Sequence, residues 1–232
     1  MTGLAHERGV LYSVGLDGAM KSWDLERGLR VAQDHQGTAA HVPALADRAV
    51  FQTVCPQALC VRGLELGRAA LPERSLYSVA ASGPTVLAGG FDGEVHLWDT
   101  RQERAGLLFA RRGSGAVRSL ALFDIDQALL AAGEDGATQW DLRAGRAVRR
   151  FPVPGLWRLG KACAAIEAWA CGRDGAVRRI GVHSGVCRTV FQSDRPLTAV
   201  AEEPGGANCV WVGGRDGSIH CIVIATHQTP QT

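Results

Sequence analysis

The chain has 232 residues, of which 46% are hydrophobic and 21% charged. This balance is typical of a globular protein with its own core and excludes a small disulfide-held or metal-held scaffold. The formal net charge of +2 at pH 7 gives no overall basic field for nucleic acid or an anionic membrane surface.

The seven cysteines are odd in number and include no Cys-x-x-Cys pair. This favours reduced thiols and predicts a cytoplasmic or nuclear protein, or one found in both compartments. The start of the chain, MTGLAHERGV, has no signal-peptide pattern. No apolar run approaches the roughly 18 residues of a membrane span, so we expect no membrane partner.

One short pattern, Gly-x-Asp-Gly, recurs along the chain. Its copies begin at Gly15, Gly90, Gly133, Gly172 and Gly214. Their aspartates are separated by 75, 43, 39 and 42 residues, so the first interval is about twice the others. In that interval Ala49 to Glu65 keeps the apolar pattern, with Pro56-Gln57 in place of Asp-Gly. The chain therefore holds about six units of about 40 residues, a period that indicates a repeat architecture.

Each Gly-x-Asp-Gly copy predicts a tight turn between two strands. Apolar runs flank the copies, and Asp-Gly between such runs is a strong hairpin signal. Glycine accepts the positive φ that these turns need, and the aspartate carboxylate can accept a backbone N–H within the turn. The predicted structural turn residues are Asp17, Gly18, Asp92, Gly93, Asp135, Gly136, Asp174, Gly175, Asp216 and Gly217.

Weaker strand patterns flank each hairpin, so four strands per unit is the natural count. A four-stranded unit cannot bury both of its faces alone and must stack on its neighbours, and radial stacking gives a β-propeller. We predict one such domain over residues 1–232, with a tail at 225–232. The predicted units lie near 10–34, 40–72, 75–110, 116–151, 156–191 and 197–224.

Three segments carry a longer signature, in which Asp-Gly is followed by an apolar residue and then by Trp-Asp. They read YSVGLDGAMKSWDLERG, LAGGFDGEVHLWDTR and LAAGEDGATQWDLRAG. On these segments the chain resembles the WD-repeat family, which implies an all-β WD-repeat β-propeller with about six recognisable blades. That family usually has a Gly-His pair whose histidine bonds the turn aspartate. The pair is absent here, so we expect each turn aspartate to lack one hydrogen-bond partner.

The two ends of the repeat array look incomplete. The first unit opens directly at its second strand near Val10, and the last stops after its third strand near Val223. Propellers usually close by pairing strands from both termini in one blade, which avoids a bare sheet edge. The sequence therefore predicts either an incomplete ring or part of a larger ring of seven blades.

No constellation in the sequence favours catalysis. The seven histidines are scattered, and there is no His-Glu-x-x-His, Gly-x-Ser-x-Gly or phosphate-loop pattern. We therefore predict no catalytic residue, no metal site and no cofactor. The predicted function is a non-enzymatic scaffold that binds other proteins or peptides.

Two successive units end their third strand with Trp-Asp-x-Arg. The residues, which are candidate partner-binding residues, are Trp98, Asp99, Arg101, Trp140, Asp141 and Arg143. These paired motifs resemble the docking boxes of WD-repeat substrate receptors that bind the propeller adaptor of cullin-RING ubiquitin ligases. The implied mechanism is a guanidinium held near a carboxylate at the rim. A plainer interpretation is a strand-end ion pair that any WD repeat can carry.

Paired arginines suggest a function of another class, the binding of phosphate or nucleic acid. The pairs are Arg111-Arg112, Arg149-Arg150 and Arg178-Arg179, with Arg173 and Arg215 one step before turn aspartates. We favour a plainer interpretation, in which the arginines protect edge strands from pairing with other chains. We expect no nucleic-acid partner, because aromatic side chains are too few for base stacking.

Overall fold

Short strands make up this protein, and each one pairs with the strand that follows it in the same sheet. The computed structural model of the chain describes residues 3–7, 10–14, 19–24, 26–35, 40–46, 49–54, 58–61, 64–65, 76–82, 85–99, 105–110, 115–123, 128–162, 166–202 and 209–224. Those residues form strands, turns and irregular segments, and none of them is helical. No helix long and apolar enough to cross a membrane occurs among them.

The first three sheets have four strands each. The first contains β1 (Gly3–Glu7), β2 (Val10–Val14), β3 (Ala19–Asp24) and β4 (Leu29–His35). The second contains β5 (Ala40–Ala46), β6 (Ala49–Val54), β7 (Ala58–Val61) and β8 (Leu64–Glu65). The third contains β9 (Leu76–Ser82), β10 (Thr85–Gly90), β11 (Glu94–Asp99) and β12 (Ala105–Ala110).

The fourth and fifth sheets also have four strands, and the sixth has three among the residues described. The fourth contains β13 (Val117–Phe123), β14 (Ala128–Gly133), β15 (Gly136–Asp141) and β16 (Arg146–Phe151). The fifth contains β17 (Leu156–Lys161), β18 (Glu167–Gly172), β19 (Ala176–Gly181) and β20 (Cys187–Gln192). The sixth contains β21 (Leu197–Glu202), β22 (Cys209–Gly214) and β23 (Ile219–Val223).

Within every sheet the strands are antiparallel and follow chain order. The first strands of successive sheets, β1, β5, β9, β13, β17 and β21, pack side by side in that order. The sheets therefore fan outward from an inner row of first strands, which is the arrangement of β-propeller blades. Among the strands that the structure describes, β21 and β1 are not packed in this way.

The expectation that the first unit opens at its second strand is wrong. β1 precedes β2 and pairs with it over its whole length, from Gly3 opposite Val14 to Glu7 opposite Val10. The β1 sequence, GLAHE, has no alternation of apolar and polar residues, so pairing with β2 determines its conformation rather than a local pattern.

Apolar side chains fill the described spaces between the third, fourth, fifth and sixth sheets. One cluster lies between the third and fourth sheets, a second between the fourth and fifth, and a third between the fifth and sixth. Because neighbouring residues of a strand point to opposite faces, a second strand covered on both sides must be apolar throughout. Accordingly β14, with sequence ALLAAG, is buried at all of its positions.

Candidate interaction site

The turns of the sheets form two rims, one at each end of the third strands. The turns between second and third strands carry the Gly-x-Asp-Gly copies, and we name their rim the Asp-Gly rim. The turns between third and fourth strands follow the Trp-Asp residues in the first and fourth sheets, and we name their rim the Trp-Asp rim.

At the Asp-Gly rim, aspartate carboxylates hold the turns closed. Asp92 Oδ1 accepts the backbone N–H of Glu94 at 3.0 Å. Asp174 and Asp216 accept the N–H of Ala176 and Ser218 in the same way, at 3.2 and 3.1 Å. The glycines that follow them, Gly93, Gly175 and Gly217, have φ of 85, 74 and 86°, which explains the choice of glycine. Asp17 and Gly18 lie outside the described residues.

The turn of the fourth sheet is tighter than the described turns of the third, fifth and sixth sheets. Gly133 pairs directly with Gly136, so only Glu134 and Asp135 lie between them. Gly136 has φ of 113°, and a Cβ atom there would lie 2.7 Å from the backbone nitrogen of Val153. In the sequence Asp135 precedes Trp140 by five residues, whereas Asp92 precedes Trp98 by six. The shorter spacing corresponds to this shorter turn.

Arginines supply partners for the aspartates of the Asp-Gly rim. Asp135 lies 3.8 Å from Arg150, Asp174 forms a hydrogen-bonded ion pair with Arg178, and Asp216 accepts a hydrogen bond of 2.9 Å from Arg195. The expectation that each turn aspartate lacks a hydrogen-bond partner is therefore wrong for Asp174 and Asp216, whereas Asp135 has only a longer ion-pair contact. The three arginines lie at three different spacings from the turns.

These contacts lower the pKa of two aspartates of this rim. Partial burial raises the pKa of Asp174, but hydrogen bonds from the Arg178 side chain and the Ala176 N–H outweigh it, so that pKa lies below its ordinary value. The Ser218 hydroxyl and N–H lower the pKa of Asp216, with a smaller contribution from Arg195. Both carboxylates are therefore favoured in the charged form that accepts hydrogen bonds.

The arginine pairs are distributed differently from the prediction. Arg149 and Arg150 lie in β16, the outermost strand of its sheet, as an edge-protecting pair would. Arg178 and Arg179 lie in β19, which is covered by β20 and is not an edge, so that part of the interpretation is wrong. Arg179 pairs with Glu167 across the sheet. Arg111 and Arg112 lie outside the described residues.

The second Trp-Asp-x-Arg copy lies at the end of β15. Trp140 packs against the cluster between the third and fourth sheets. Asp141 Oδ1 accepts the backbone N–H groups of Arg143 and Ala144, each at 2.9 Å. Arg143 is exposed, and no ion pair joins it to any residue that the structure describes. The carboxylate of the motif thus holds its own turn and leaves the guanidinium in solvent.

The first copy is described only in part. Trp98 and Asp99 end β11, where their backbones pair with Val86 and Thr85. The side chains of Trp98 and Asp99 and the whole of Arg101 lie outside the described residues. The structure therefore does not bring the two arginines of the paired motif into one described site.

The first sheet forms the same Trp-Asp rim turn without the motif's arginine. Asp24 Oδ1 accepts the N–H groups of Glu26 and Arg27 at 3.0 and 3.1 Å. Its other oxygen lies 3.7 Å from the Arg27 guanidinium. Because the turn forms with glutamate two residues after the aspartate, the arginine of Trp-Asp-x-Arg is not required for the turn.

A further feature, not predicted from the sequence, is a β-bulge near the start of the first strands. The register shifts between Val117 and Ser119 and at the same point of β17 and β21. The extra residues are Arg118, Trp157 and Thr198. Arg118 pairs at 2.7 Å with Glu134 of the Asp-Gly rim, so the bulge ties the inner strand to the turn. Bulges carry only a weak sequence signal when glycine is absent.

No grouping of three or more His, Cys, Asp or Glu side chains able to hold a metal occurs in the described part of the chain. Cys171, Cys187, Cys209 and Cys221, whose side chains are described, form no disulfide. Burial raises the pKa of the Cys171 thiol to about 12. Cys171 therefore packs as a small apolar residue and does not supply a thiolate at neutral pH.

No protein-family model matches the chain. Two of the solved structures that resemble it are the following. One is the crystal structure of the computationally designed Ika8 protein, with a TM-score of 0.74 and 20% identity, covering 96% of this chain and 70% of that chain. The other is the crystal structure of the Mitotic Checkpoint Complex, with a TM-score of 0.81 and 14% identity, covering 96% of this chain and 73% of that chain. At these identities the likeness concerns the fold, and with the fan of antiparallel sheets it confirms the predicted all-β β-propeller.

Proposed function

We propose that the chain is a divergent WD-repeat propeller that acts as a non-enzymatic scaffold for other proteins or peptides, in the cytoplasm or the nucleus. The observation that carries this proposal is the exposed Arg143 guanidinium beside a turn that Asp141 already holds rigid. Rigid turns lower the cost of ordering a surface when a partner binds. The fold is also similar to that of a chain in a protein assembly, the Mitotic Checkpoint Complex.

The partner that best fits the paired Trp-Asp-x-Arg motifs is the propeller adaptor of a cullin-RING ubiquitin ligase, which would make this chain a substrate receptor. The planar donors of an arginine suit the carboxylates and carbonyls of a partner. The plainer interpretation required an ion pair between Asp141 and Arg143. No ion pair joins Arg143 to Asp141 among the described residues and Arg143 is exposed, which favours an external partner for Arg143.

Binding of phosphate or nucleic acid is the weaker proposal. Arg178 and Arg179 are paired with Asp174 and Glu167, and Arg150 lies near Asp135. A phosphate group would have to compete with these carboxylates. We therefore expect the purified chain to leave a phosphate-bearing column at low salt, whereas a nucleic-acid binder would be retained and show steep salt dependence.

The adaptor proposal is tested by replacing Arg101 and Arg143 together with alanine. We expect binding of the purified adaptor, measured by surface plasmon resonance, to weaken at least tenfold. The matched control is Arg188→Ala, which removes an exposed arginine from β20 and should leave binding unchanged. Equal binding by the parent chain and the double variant would remove the adaptor from consideration.

A further inference from the structure

We propose that Trp157 and Arg158, at the start of β17, form a binding site for a carboxylate group on the side of the fifth sheet that faces the sixth sheet. The site lies at the Asp-Gly rim end of β17, where Leu156 pairs with Gly172. It is therefore separate from the adaptor site proposed at Arg143 on the opposite rim, and it adds a ligand-binding function to the scaffold.

A β-bulge places both side chains on one face of the fifth sheet. Leu156 and Leu159 both belong to the apolar cluster between the fourth and fifth sheets. Successive residues of a strand normally point to opposite faces, but the extra residue of the bulge leaves two residues between these leucines. Trp157 and Arg158 therefore both lie on the other face, toward the sixth sheet.

The packing of β17 on β21 supports this direction. Gly160, two residues after Arg158, is so close to β21 that a Cβ atom there would lie 3.0 Å from the Val200 carbonyl oxygen. In the third and fourth sheets the residues at the position of Arg158 are Ser78 and Ser119. Each of these serines bonds the backbone of the next first strand at 3.0 Å. The position of Arg158 therefore faces the next first strand, β21.

The Arg158 guanidinium has no counter-charge among the residues described. Its strand partner Cys171 is fully buried, and burial lowers the pKa of Arg158. The Cys171 thiol has a pKa of about 12, so it is neutral at pH 7 and supplies no negative charge. Asp174 of the adjoining turn is bonded to Arg178 and to its own turn. No hydrogen bond or ion pair joins Arg158 to any residue of the described ranges.

The Trp157 indole is a second donor without a partner. Its Nε1 atom is buried and forms no hydrogen bond within the described part of the chain. A buried donor or charge that is left unsatisfied costs stability, so a ligand that satisfies both groups gains affinity. A carboxylate fits this pair, because its single negative charge matches the charge of Arg158 and its two oxygens accept from both donors.

Phosphate fits the same pair of donors less well. A phosphate monoester carries nearly two negative charges at neutral pH and has three acceptor oxygens, which one guanidinium and one indole N–H do not satisfy. Charge that stays uncompensated in a partly buried site is costly. The expected ligand is therefore a monocarboxylate, either a small free acid or the side chain of an aspartate or glutamate in a peptide.

The test follows the indole N–H signals of the six tryptophans by NMR, on the full chain labelled with a nitrogen isotope, during titration with acetate at constant ionic strength. Trp157→Phe identifies the signal of Trp157. We expect that signal to move in a saturable way, with an affinity in about the millimolar range for so small a ligand. Acetamide, the uncharged analogue of acetate, should leave it in place.

The decisive variant is Arg158→Ser, which introduces the residue type that the fourth sheet has at Ser119 and so should keep the fold. We expect acetate to bind at least about tenfold more weakly. The matched control, Arg188→Ser, removes an exposed arginine from β20 and should leave acetate binding unchanged. If the amide signals show that Arg158→Ser does not fold, Arg158→Lys replaces it. Lysine keeps the charge but loses the planar donors, so weaker binding than in the parent chain is expected.

A blocked peptide, acetyl-Ala-Glu-Ala-amide, distinguishes the two sources of the carboxylate. Tighter binding of this peptide than of acetate would assign the site to an acidic side chain of a partner. Equal or weaker binding would assign it to a small free acid.

Three results would overturn the proposal. They are a Trp157 signal that acetate does not move, acetate binding that Arg158→Ser leaves unchanged, and tighter binding of inorganic phosphate than of acetate. The last result would identify a phosphate site in place of a carboxylate site. Adaptor binding is measured on Arg158→Ser as well and should equal that of the parent chain, so failure of this site and failure of the adaptor proposal are distinguished.

Discussion

The Asp174 turn of the Asp-Gly rim and the Asp141 turn of the Trp-Asp rim use the same turn chemistry and differ in what their arginines do. At Asp174 and at Asp141 alike, a carboxylate oxygen accepts the N–H of the residue two positions further on. The second oxygen of Asp174 binds Arg178, whereas Arg143 beside Asp141 is exposed. The difference separates arginines that stabilise the fold from an arginine that remains available to a partner.

The largest expected effect concerns the glycines of the two rims. Gly136→Ala, on the Asp-Gly rim, places a Cβ against the Phe151 carbonyl and the Val153 nitrogen at a φ of 113°. We expect the free energy of unfolding to fall by at least about 3 kcal/mol, measured by urea denaturation. Gly145, on the Trp-Asp rim, has φ of 60° and open space around it. For Gly145→Ala we therefore expect the free energy of unfolding to fall by about 1 kcal/mol. Equal losses would contradict the difference between the rims.

A smaller effect is expected from the turn aspartates. Asp174→Ala removes a backbone hydrogen bond and the Arg178 contact, and Arg178 already has one buried nitrogen without a partner among the described residues. We expect a loss of about 2 kcal/mol. Asp141→Ala removes only exposed hydrogen bonds to its own turn. We therefore expect the free energy of unfolding to fall by less than about 1 kcal/mol. Thermal unfolding of both variants measures which substitution costs more stability. A larger loss for Asp141→Ala than for Asp174→Ala would contradict the prediction.

The pH dependence of stability sharpens the same comparison. The pKa of Asp174 is lower in the folded chain than its ordinary value of 3.8. Its contribution is therefore present above that value and is lost as pH falls through the lower folded-state pKa. We expect the difference in unfolding free energy between the parent chain and Asp174→Asn to shrink as pH falls below about 4. A constant difference down to about pH 2.5 would contradict this assignment.

The Asp-Gly turns could be predicted from sequence because their geometry is local. Gly175 and Gly217 adopt positive φ, and Asp174 and Asp216 bond an N–H two residues away. The arginine partners could not be predicted, because Arg150, Arg178 and Arg195 reach their aspartates from different strands or loops at unrelated spacings. The pairing of β16 with β15 decides the contact of Arg150, and Arg195 reaches Asp216 from the loop before the sixth sheet, whereas Arg178 lies four residues after Asp174.

The propeller fold could be predicted because the repeat period indicates a series of small sheets, and each sheet must be covered by the next one to bury its apolar face. Strand β1 could not be predicted, because its sequence GLAHE carries no strand pattern and it is a strand through its pairing with β2. The partner-binding roles of Arg101 and Arg143 stay predictions, because a motif specifies residue types and not the molecule that they contact.

The smallest effect on stability is expected from Arg143→Ala. Its side chain is exposed and the turn beside it forms in the first sheet without an arginine at that position. We expect the free energy of unfolding to stay within about 0.5 kcal/mol of the parent chain. Arg178→Ala should cost more, since it leaves Asp174 without its ion-pair partner. A marked loss for Arg143→Ala would show that the arginine supports the fold.

The most direct test of the division between the rims is hydrogen–deuterium exchange on the chain with and without a partner recovered by affinity purification from cells. We predict that the partner slows exchange of the backbone amides of the Trp-Asp rim turn at 141–145, and leaves the Asp-Gly rim turn at 172–176 unchanged. Protection confined to 172–176 would contradict the assignment of binding to the Trp-Asp rim.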